Sequence, residues 1–242
     1  MTFNLYLGNC LDYINTVNSV NAVITDPPYN IGFKYNNYKD KLSDKDYIKL
    51  IGSFYKFPLS MIHYPEEFIK YYIPALGNPT AVSAWCYNTD TPRHFRLVGY
   101  WGGLMPNYNK IKQPYKNLND RRVQKSISNG SKGAPLYEWW DDIHIVNNVS
   151  KEKTDHPCQV PVALMKRIIN LTTNEGDTIF DPFMGSGTTG IACMELGRNF
   201  IGCEIDPIYF AIAEKRIYEA SLQPHLFLDD KVNNFVKQAE LV

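Results

Sequence analysis

Between Thr178 and Glu204 the chain passes from an apolar triplet, Thr178-Ile179-Phe180, through Asp181-Pro182-Phe183-Met184 into Gly185-Ser186-Gly187-Thr188-Thr189-Gly190. It then reaches a second apolar run, Phe200 to Cys203, that ends on Glu204. Strand, glycine-rich turn, a helix from about Thr188 to Leu196 and strand make a βαβ unit, whose crossover connection requires parallel strands. No other stretch restricts the fold as much, and an α/β architecture follows.

The N-terminal half repeats the alternation. Phe3 to Leu7 and Ala22 to Thr25 are apolar, strand-like runs, and the second stops at Asp26-Pro27-Pro28 because two adjacent prolines cannot continue a central strand. Ser43, with Asp46 three residues on, caps a helix through Tyr47 to Ile51, and Thr80 to Trp85 reads as a buried strand. A helix from about Val160 to Leu171, with Pro161 in its first turn, leads into the βαβ unit, and a last helix follows Asp206-Pro207. With 242 residues, 44% of them apolar, the chain has material for a single domain over residues 1–242 with a modest insertion.

Gly185-x-Gly187-x-x-Gly190, with Glu204 19 positions after the first glycine, fits two cofactor classes. Glycines let the backbone turn tightly and approach a ligand, and an acid ending the next strand accepts hydrogen bonds from ribose hydroxyls. NAD and S-adenosylmethionine both meet that description. Asp181 separates them, since a carboxylate at the strand end repels a pyrophosphate but attracts the ammonium of a methionine moiety that also carries a cationic sulfonium. The loop therefore favours S-adenosylmethionine. A glycine turn with no ligand is the bland alternative, and the well-spaced Glu204 argues against it.

Asp26-Pro27-Pro28-Tyr29 is open to a plain reading, a turn that ends a strand, and to a chemical one. An exocyclic amino group on a base is a poor nucleophile, because its lone pair is delocalised into the ring. Two acceptors on its N–H bonds localise that pair and disperse the charge that develops during attack. Asp26 offers a carboxylate and Pro27 a main-chain carbonyl, on backbone stiffened by Pro28. Tyr29 offers a ring to stack on a base rotated out of a duplex. No general base is needed before attack, since the nitrogen can lose its proton after methyl transfer.

The net charge is zero, which excludes a global field for polyanions, so any nucleic-acid surface is local. Between Leu104 and Gly133 seven cations face the single acid Asp120. Lys110, Lys112, Lys116, Arg121, Arg122 and Lys125 are the candidates for phosphate contacts; Asn107, Asn109, Gln113, Asn117 and Gln124 are the candidates for base edges. A solvated polar loop is the alternative. Residues 104–150 are read as an inserted target-recognition region, packed back onto the core by Tyr137-Glu138-Trp139-Trp140. The five cysteines are scattered and never in a C-x-x-C pair, which argues against a zinc site or a disulfide framework and suits a reducing cytosol. His63, His94 and His144 have no metal or triad spacing and read as structural, so no metal is implied. No basic start precedes an apolar stretch and no apolar run reaches about 18 residues, so a cytoplasmic protein without membrane contact is expected.

Together these segments resemble the amino-methylating (N6-adenine/N4-cytosine) DNA methyltransferases, in the circularly permuted group whose catalytic motif precedes the cofactor loop. Asp26-Pro27-Pro28-Tyr29-Asn30-Ile31-Gly32 is similar to the catalytic motif. His156-Pro157-Cys158-Gln159 is similar to the start of the cofactor half, and Asp181 to Thr189 to the methionine-binding loop, with Phe183 close to the cofactor. Glu204 matches the ribose-binding acid. The resemblance implies a Rossmann-like S-adenosylmethionine-dependent methyltransferase fold with a mostly parallel sheet and a small inserted DNA-recognition region. It implies cofactor binding by Asn9, His156, Gln159, Asp181, Phe183, Gly185, Ser186, Gly187, Thr188, Thr189 and Glu204, and catalysis by Asp26, Pro27, Pro28 and Tyr29. Double-stranded DNA is the implied partner, and relatives of this kind work beside a cognate restriction endonuclease or as homodimers.

Two positions depart from the family pattern. Asn9, in Gly8-Asn9-Cys10-Leu11, replaces an acid expected near the cofactor adenine, and Val160-Pro161 stands where Lys-Pro is frequent. Both changes leave the proposed chemistry in place. Cytosine N4 is served by the same acceptor geometry as adenine N6, but Ser precedes Pro-Pro-Tyr more often in the cytosine enzymes, so Asp26 tilts the reading to adenine. RNA or a protein glutamine amide poses the same electronic problem with less support from the basic segment. An NAD-dependent oxidoreductase leaves Asp26 to Tyr29 unexplained, and a catalytically dead DNA-binding module sits badly with the intact Asp26 and Tyr29.

Overall fold

Three consecutive residues of β2 (Ala22–Thr25) show how one sheet divides the molecule: Ala22 and Ile24 face one apolar core and Val23 the other. That is the period-two alternation of a strand buried on both sides. The structure, a computed structural model, describes residues 1–17, 19–35, 38–89 and 92–222. Its strands are β1 (Phe3–Leu7), β2, β3 (Leu59–His63), β4 (Ala81–Cys86), β5 (Phe95–Trp101), β6 (Lys112–Gln113), β7 (Ala134–Pro135), β8 (Trp139–Trp140), β9 (Thr178–Asp181) and β10 (Asn199–Glu204). Eight of them form the main sheet in the order β1-β10-β9-β2-β3-β5-β4-β8. All its pairs are parallel except those of β5, which runs antiparallel to β3 and β4.

Helices cover both faces. On the Ala22 side lie α6 (Val162–Thr172), α7 (Thr188–Glu195) and α8 (Pro207–Ser221), contributing Leu164, Ile168, Ala192, Ala213 and Ile217 to the core. On the Val23 side lie α1 (Cys10–Tyr13), α2 (Asp44–Gly52) and a helical stretch, residues 65–76, made of α3 (Pro65–Glu67), a π-helical turn (Phe68–Tyr72) and α4 (Ile73–Leu76). Ser43 caps α2 as expected, its Oγ accepting from Asp46 N–H at 3.2 Å. Pro161, expected within the first turn of its helix, is instead the residue that caps α6. Gly190 is needed where α7 crosses α8: a Cβ there would lie 2.7 Å from Ile217 Cγ1 and 2.8 Å from Phe200 Cε1, too close for real atoms.

The connections place the site. From β9 the chain passes through α7 to β10 on one side, and from β2 through α2 to β3 on the other, although β9 and β2 are parallel neighbours. Loops leaving adjacent strand ends in opposite directions open a crevice at the carboxyl edge of the sheet. After β5 the chain leaves the sheet for β6, α5 (Arg121–Ser128) and β7, then returns as β8 beside β4. Trp140 buries itself on return, while Trp139 stays exposed. Among the described residues no helix is long and apolar enough to cross a membrane.

Candidate active site

Asp26-Pro27-Pro28-Tyr29 begins where β2 ends, and its neighbours hold the backbone still. The Tyr47 hydroxyl donates to the Pro28 carbonyl at 2.6 Å, and His63 Nε2 lies 3.1 Å from the Tyr29 carbonyl. His63 Nδ1 accepts from Tyr64 N–H at 2.8 Å, so Nε2 carries the ring proton and donates to Tyr29. Burial lowers the His63 pKa to about 3, which keeps the ring neutral. Beyond the motif, buried Asp40 accepts from the N–H groups of Asn30 at 2.6 Å, Ile31 at 3.2 Å and Phe33 at 3.0 Å, closing a turn in which Asn30 takes a φ of 58°. The Pro28 and Tyr29 carbonyls are thus engaged. The Pro27 carbonyl accepts no hydrogen bond among the described residues.

Asp26 sits between a phenol and a guanidinium. The Tyr29 hydroxyl donates to Oδ1 at 2.5 Å, and Arg96 Nη1, from β5, lies 3.8 Å from Oδ2. Burial raises the Asp26 pKa to about 6, against the opposing pull of Arg96 and of the Tyr29 hydrogen bond. The Tyr29 ring, expected to stack on a base, is already covered: the His63 ring stacks on it at 4.2 Å and 22°, and the Arg96 guanidinium lies over it at 5.2 Å.

A cavity of about 930 Å³ joins the ends of β2, β9 and β10. Of the residues expected at the cofactor, Asn9, His156, Phe183, Gly185 and Glu204 line it together with all four residues of the Asp-Pro-Pro-Tyr motif. Glu204 accepts from Gly185 N–H at 3.0 Å and from Asp206 N–H at 2.8 Å, and burial raises its pKa. The others stand behind the wall. Asp181, expected to meet an ammonium, instead accepts from the Thr25 and Thr189 hydroxyls, both at 2.5 Å, and from Phe183 N–H at 3.0 Å, because the turn after β9 folds over its carboxylate. Gln159 closes its own loop, accepting from Thr154 N–H and Oγ1 and donating to the Glu152 carbonyl. Ser186, Gly187 and Thr188 shape the turn into α7: Arg216 donates to the Ser186 carbonyl at 2.6 Å, and Gly187 takes a φ of 82° as the capping residue.

Asp206, Arg96 and Cys158 also line the wall, though none was expected as a site residue. Asp206 caps α8, accepting at Oδ1 from Ile208 and Tyr209 N–H, while among the described residues its buried Oδ2 has no partner; the same is true of His156 Nδ1. Asp before Pro207 is a legible cap signal. Arg96 had a signal too, as a lone cation in an apolar strand. Cys158 had none.

The basic segment resolves unevenly. Lys110 donates to the Thr173 carbonyl at 2.7 Å and to Asn174 Oδ1 at 3.0 Å, so it braces the core rather than standing clear for phosphate. Arg122 is paired with its own helix cap, Asp120, at 2.9 Å, and Lys116 lies over the stacked rings of Tyr137 and Trp139. Lys112, Arg121 and Lys125 are exposed, with no ion pair among the described residues. Asn107, Gln113 and Asn117 spend side-chain oxygens or amides on nearby backbone.

A protein family described as DNA methylase matches residues 62–215. The Type II methyltransferase M.HpaI of Haemophilus parainfluenzae is 30% identical over 225 residues, covering 83% of this chain and 68% of its own length. The crystal structure of the M1.HpyAVI–SAM complex superposes with a TM-score of 0.60 at 26% identity, over 89% of this chain and 99% of that one. PvuII DNA methyltransferase, described as cytosine-N4-specific, gives a TM-score of 0.64 at 15% identity, over 98% and 92% of the two chains, a likeness of fold alone.

Proposed function

The chain belongs to the DNA methylase family, as an S-adenosylmethionine-dependent enzyme of the N6/N4 amino-methylating kind, and we propose that its acceptor is adenine N6 in double-stranded DNA. The base leaves the duplex and enters the cavity. The observation that carries this reading is the pairing, in one cavity, of the Asp26 carboxylate with a Pro27 carbonyl that has no partner among the described residues. Asp26, rather than Ser, before Pro-Pro-Tyr favours adenine.

The wall fits the cofactor. Burial lowers the His156 pKa to about 4, so its unpartnered Nδ1 belongs to a neutral ring. Beside it are the unpartnered Asp206 Oδ2, the remaining lone pairs of Glu204 and the Asn9 amide, whose oxygen alone is used, by Leu11 N–H at 3.0 Å. These groups, with Phe183 and the bare backbone of Gly185, would hold S-adenosylmethionine, which supplies an electrophilic methyl on a cationic sulfur. Asp26 and Pro27 accept the two amino N–H bonds and so localise the nitrogen lone pair. For that, the Tyr29 hydroxyl yields Oδ1 of Asp26 to the incoming N–H, and its ring is released to meet the base. The proton leaves nitrogen after methyl transfer.

Incubation with unmethylated duplex DNA and labelled cofactor, followed by nucleoside mass spectrometry, tests the reading. Label in N6-methyladenine is the expected result, and mapping the modified positions gives the recognition sequence. Label in N4-methylcytosine moves the acceptor to cytosine, and label in neither base overturns the proposal.

A further inference from the structure

Arg96 is the least explained charge in the molecule. It enters the core from β5, its side chain only 18% exposed, and its guanidinium carbon lies 5.1 to 5.8 Å from the ring centres of Tyr29, Tyr64, Trp85 and Tyr87. Among the described residues its buried Nε has no hydrogen-bond partner. A guanidinium cannot shed its proton, so in this position it needs a counter-charge. The carboxylate within ion-pair reach, among the described residues, is Asp26.

We propose that Arg96 is a positioning residue for methyl transfer, supplying the buried positive charge against which Asp26 remains a carboxylate while the Tyr29 hydroxyl is exchanged for the amino group. This rests on the assignment of Asp26 as the amino-group acceptor. A protonated Asp26 would present a hydroxyl to the amino nitrogen and lose half its accepting capacity. Among the described residues no other cation lies within ion-pair reach of Asp26. Tyr29 donates its hydroxyl to it, and His63 is neutral. Asp181, from β9, acts on it as a like charge, and Cys158 and Tyr35, from the cavity wall, carry no positive charge. Four aromatic rings surround the guanidinium at cation–π distance, and its Nη1 lies 3.8 Å from Asp26 Oδ2.

The test is the pH dependence of single-turnover methyl transfer to duplex DNA, by wild type, Arg96→Gln and Arg96→Lys, with cofactor binding measured beside it. Arg96→Gln should move the acid limb upward by about one pH unit or more, recover most of its rate at high pH, and bind cofactor as wild type does. Arg96→Lys should restore part of the shift. An acid limb that stays in place while the rate falls at every pH would mean that Arg96 only fills an aromatic cage, and overturns the proposal. Should Arg96→Gln not fold, wild type still decides: the nitrogen resonances of the Arg96 guanidinium should titrate with the midpoint of the acid limb, and a flat response overturns the pairing. Wild-type transfer to some other acceptor, or none, would instead tell against the adenine assignment, independently of Arg96.

Discussion

The Thr25 hydroxyl donates to Asp181 Oδ1 at 2.5 Å across 156 residues of sequence. Thr25 immediately precedes the Asp-Pro-Pro-Tyr motif and Asp181 ends the strand before the glycine loop, so one buried hydrogen bond ties together two strand ends at the cavity. Thr189, in the first turn of α7, fills the other carboxylate oxygen, also at 2.5 Å. The β2 side and the β9 side of the cavity therefore share a common buried anchor.

That anchor has a pH signature. Burial raises the Asp181 pKa to about 6, with the hydrogen bonds from Thr189 and Thr25 opposing, whereas an unfolded chain holds an aspartate near 3.9. The folded state binds the proton more tightly, so this group favours folding most below about pH 4 and its contribution is lost as pH rises through about 6. Asp181→Asn does not titrate. Relative to wild type, its unfolding free energy should therefore improve by about 1–2 kcal/mol between pH 5 and pH 8. Urea unfolding at the two pH values measures this, and an unchanged difference between the proteins would refute it.

Truncation is a different matter from neutralisation. Asp181→Ala strands the Thr25 and Thr189 hydroxyls and the Phe183 N–H in the interior. Each buried group left unpaired costs ~1–3 kcal/mol, and the loop carrying Phe183 and Gly185 loses its fixed start. A lower melting temperature and cofactor affinity weakened by about tenfold or more are expected, the latter by equilibrium dialysis with labelled S-adenosylmethionine. Wild-type affinity in a folded Asp181→Ala protein would show that the loop holds its shape without this carboxylate.

Asp26→Ala separates binding from chemistry. The residue is the proposed acceptor of the amino group, while Glu204, His156 and Asp206, which line the same cavity, are the proposed cofactor contacts. Removing the carboxylate deletes an electrostatic interaction aimed at the transition state, an effect commonly worth ~100-fold or more in rate, and leaves Arg96 without its partner. Transfer should fall below detection in a filter assay while cofactor binding stays within a few-fold of wild type. Turnover at the wild-type level would remove Asp26 from the mechanism.

What could be read in the sequence was what is encoded locally. The cap at Ser43, the strand stop at Pro27-Pro28 and the turn at Gly185 to Gly187 each arise from residues a few positions apart, and each appears where expected. Pairings across the sheet were not legible. Nothing near Asp181 marks Thr25 as its donor, and nothing near Arg96 marks Asp26 as its counter-charge, because parallel strands bring distant segments together. β3 and β5 escaped for a related reason. Their polar members His63 and Arg96 look like interruptions until the partners that make their burial tolerable are known. Composition likewise showed a basic segment without showing that Lys110 is spent on the Thr173 carbonyl.

That last distinction decides which cations to remove in a DNA-binding test. Arg121 and Lys125 stand one turn apart on α5 with exposed side chains and no ion pair among the described residues, whereas Arg122 is held by Asp120 and Lys110 by the core. If this helix meets the phosphate backbone, each free cation neutralises about one phosphate and adds about 0.9 to the steepness with which log affinity falls against log salt. Arg121→Ala with Lys125→Ala should therefore flatten the slope by roughly 1 to 2, and weaken binding equally on DNA with and without the recognition sequence. Lys110→Ala should leave the slope alone and lower thermal stability instead, since it removes a brace between the insertion and the end of α6. A salt series by fluorescence anisotropy on the three proteins separates these outcomes, and an unchanged slope in the double variant would place the DNA on another face.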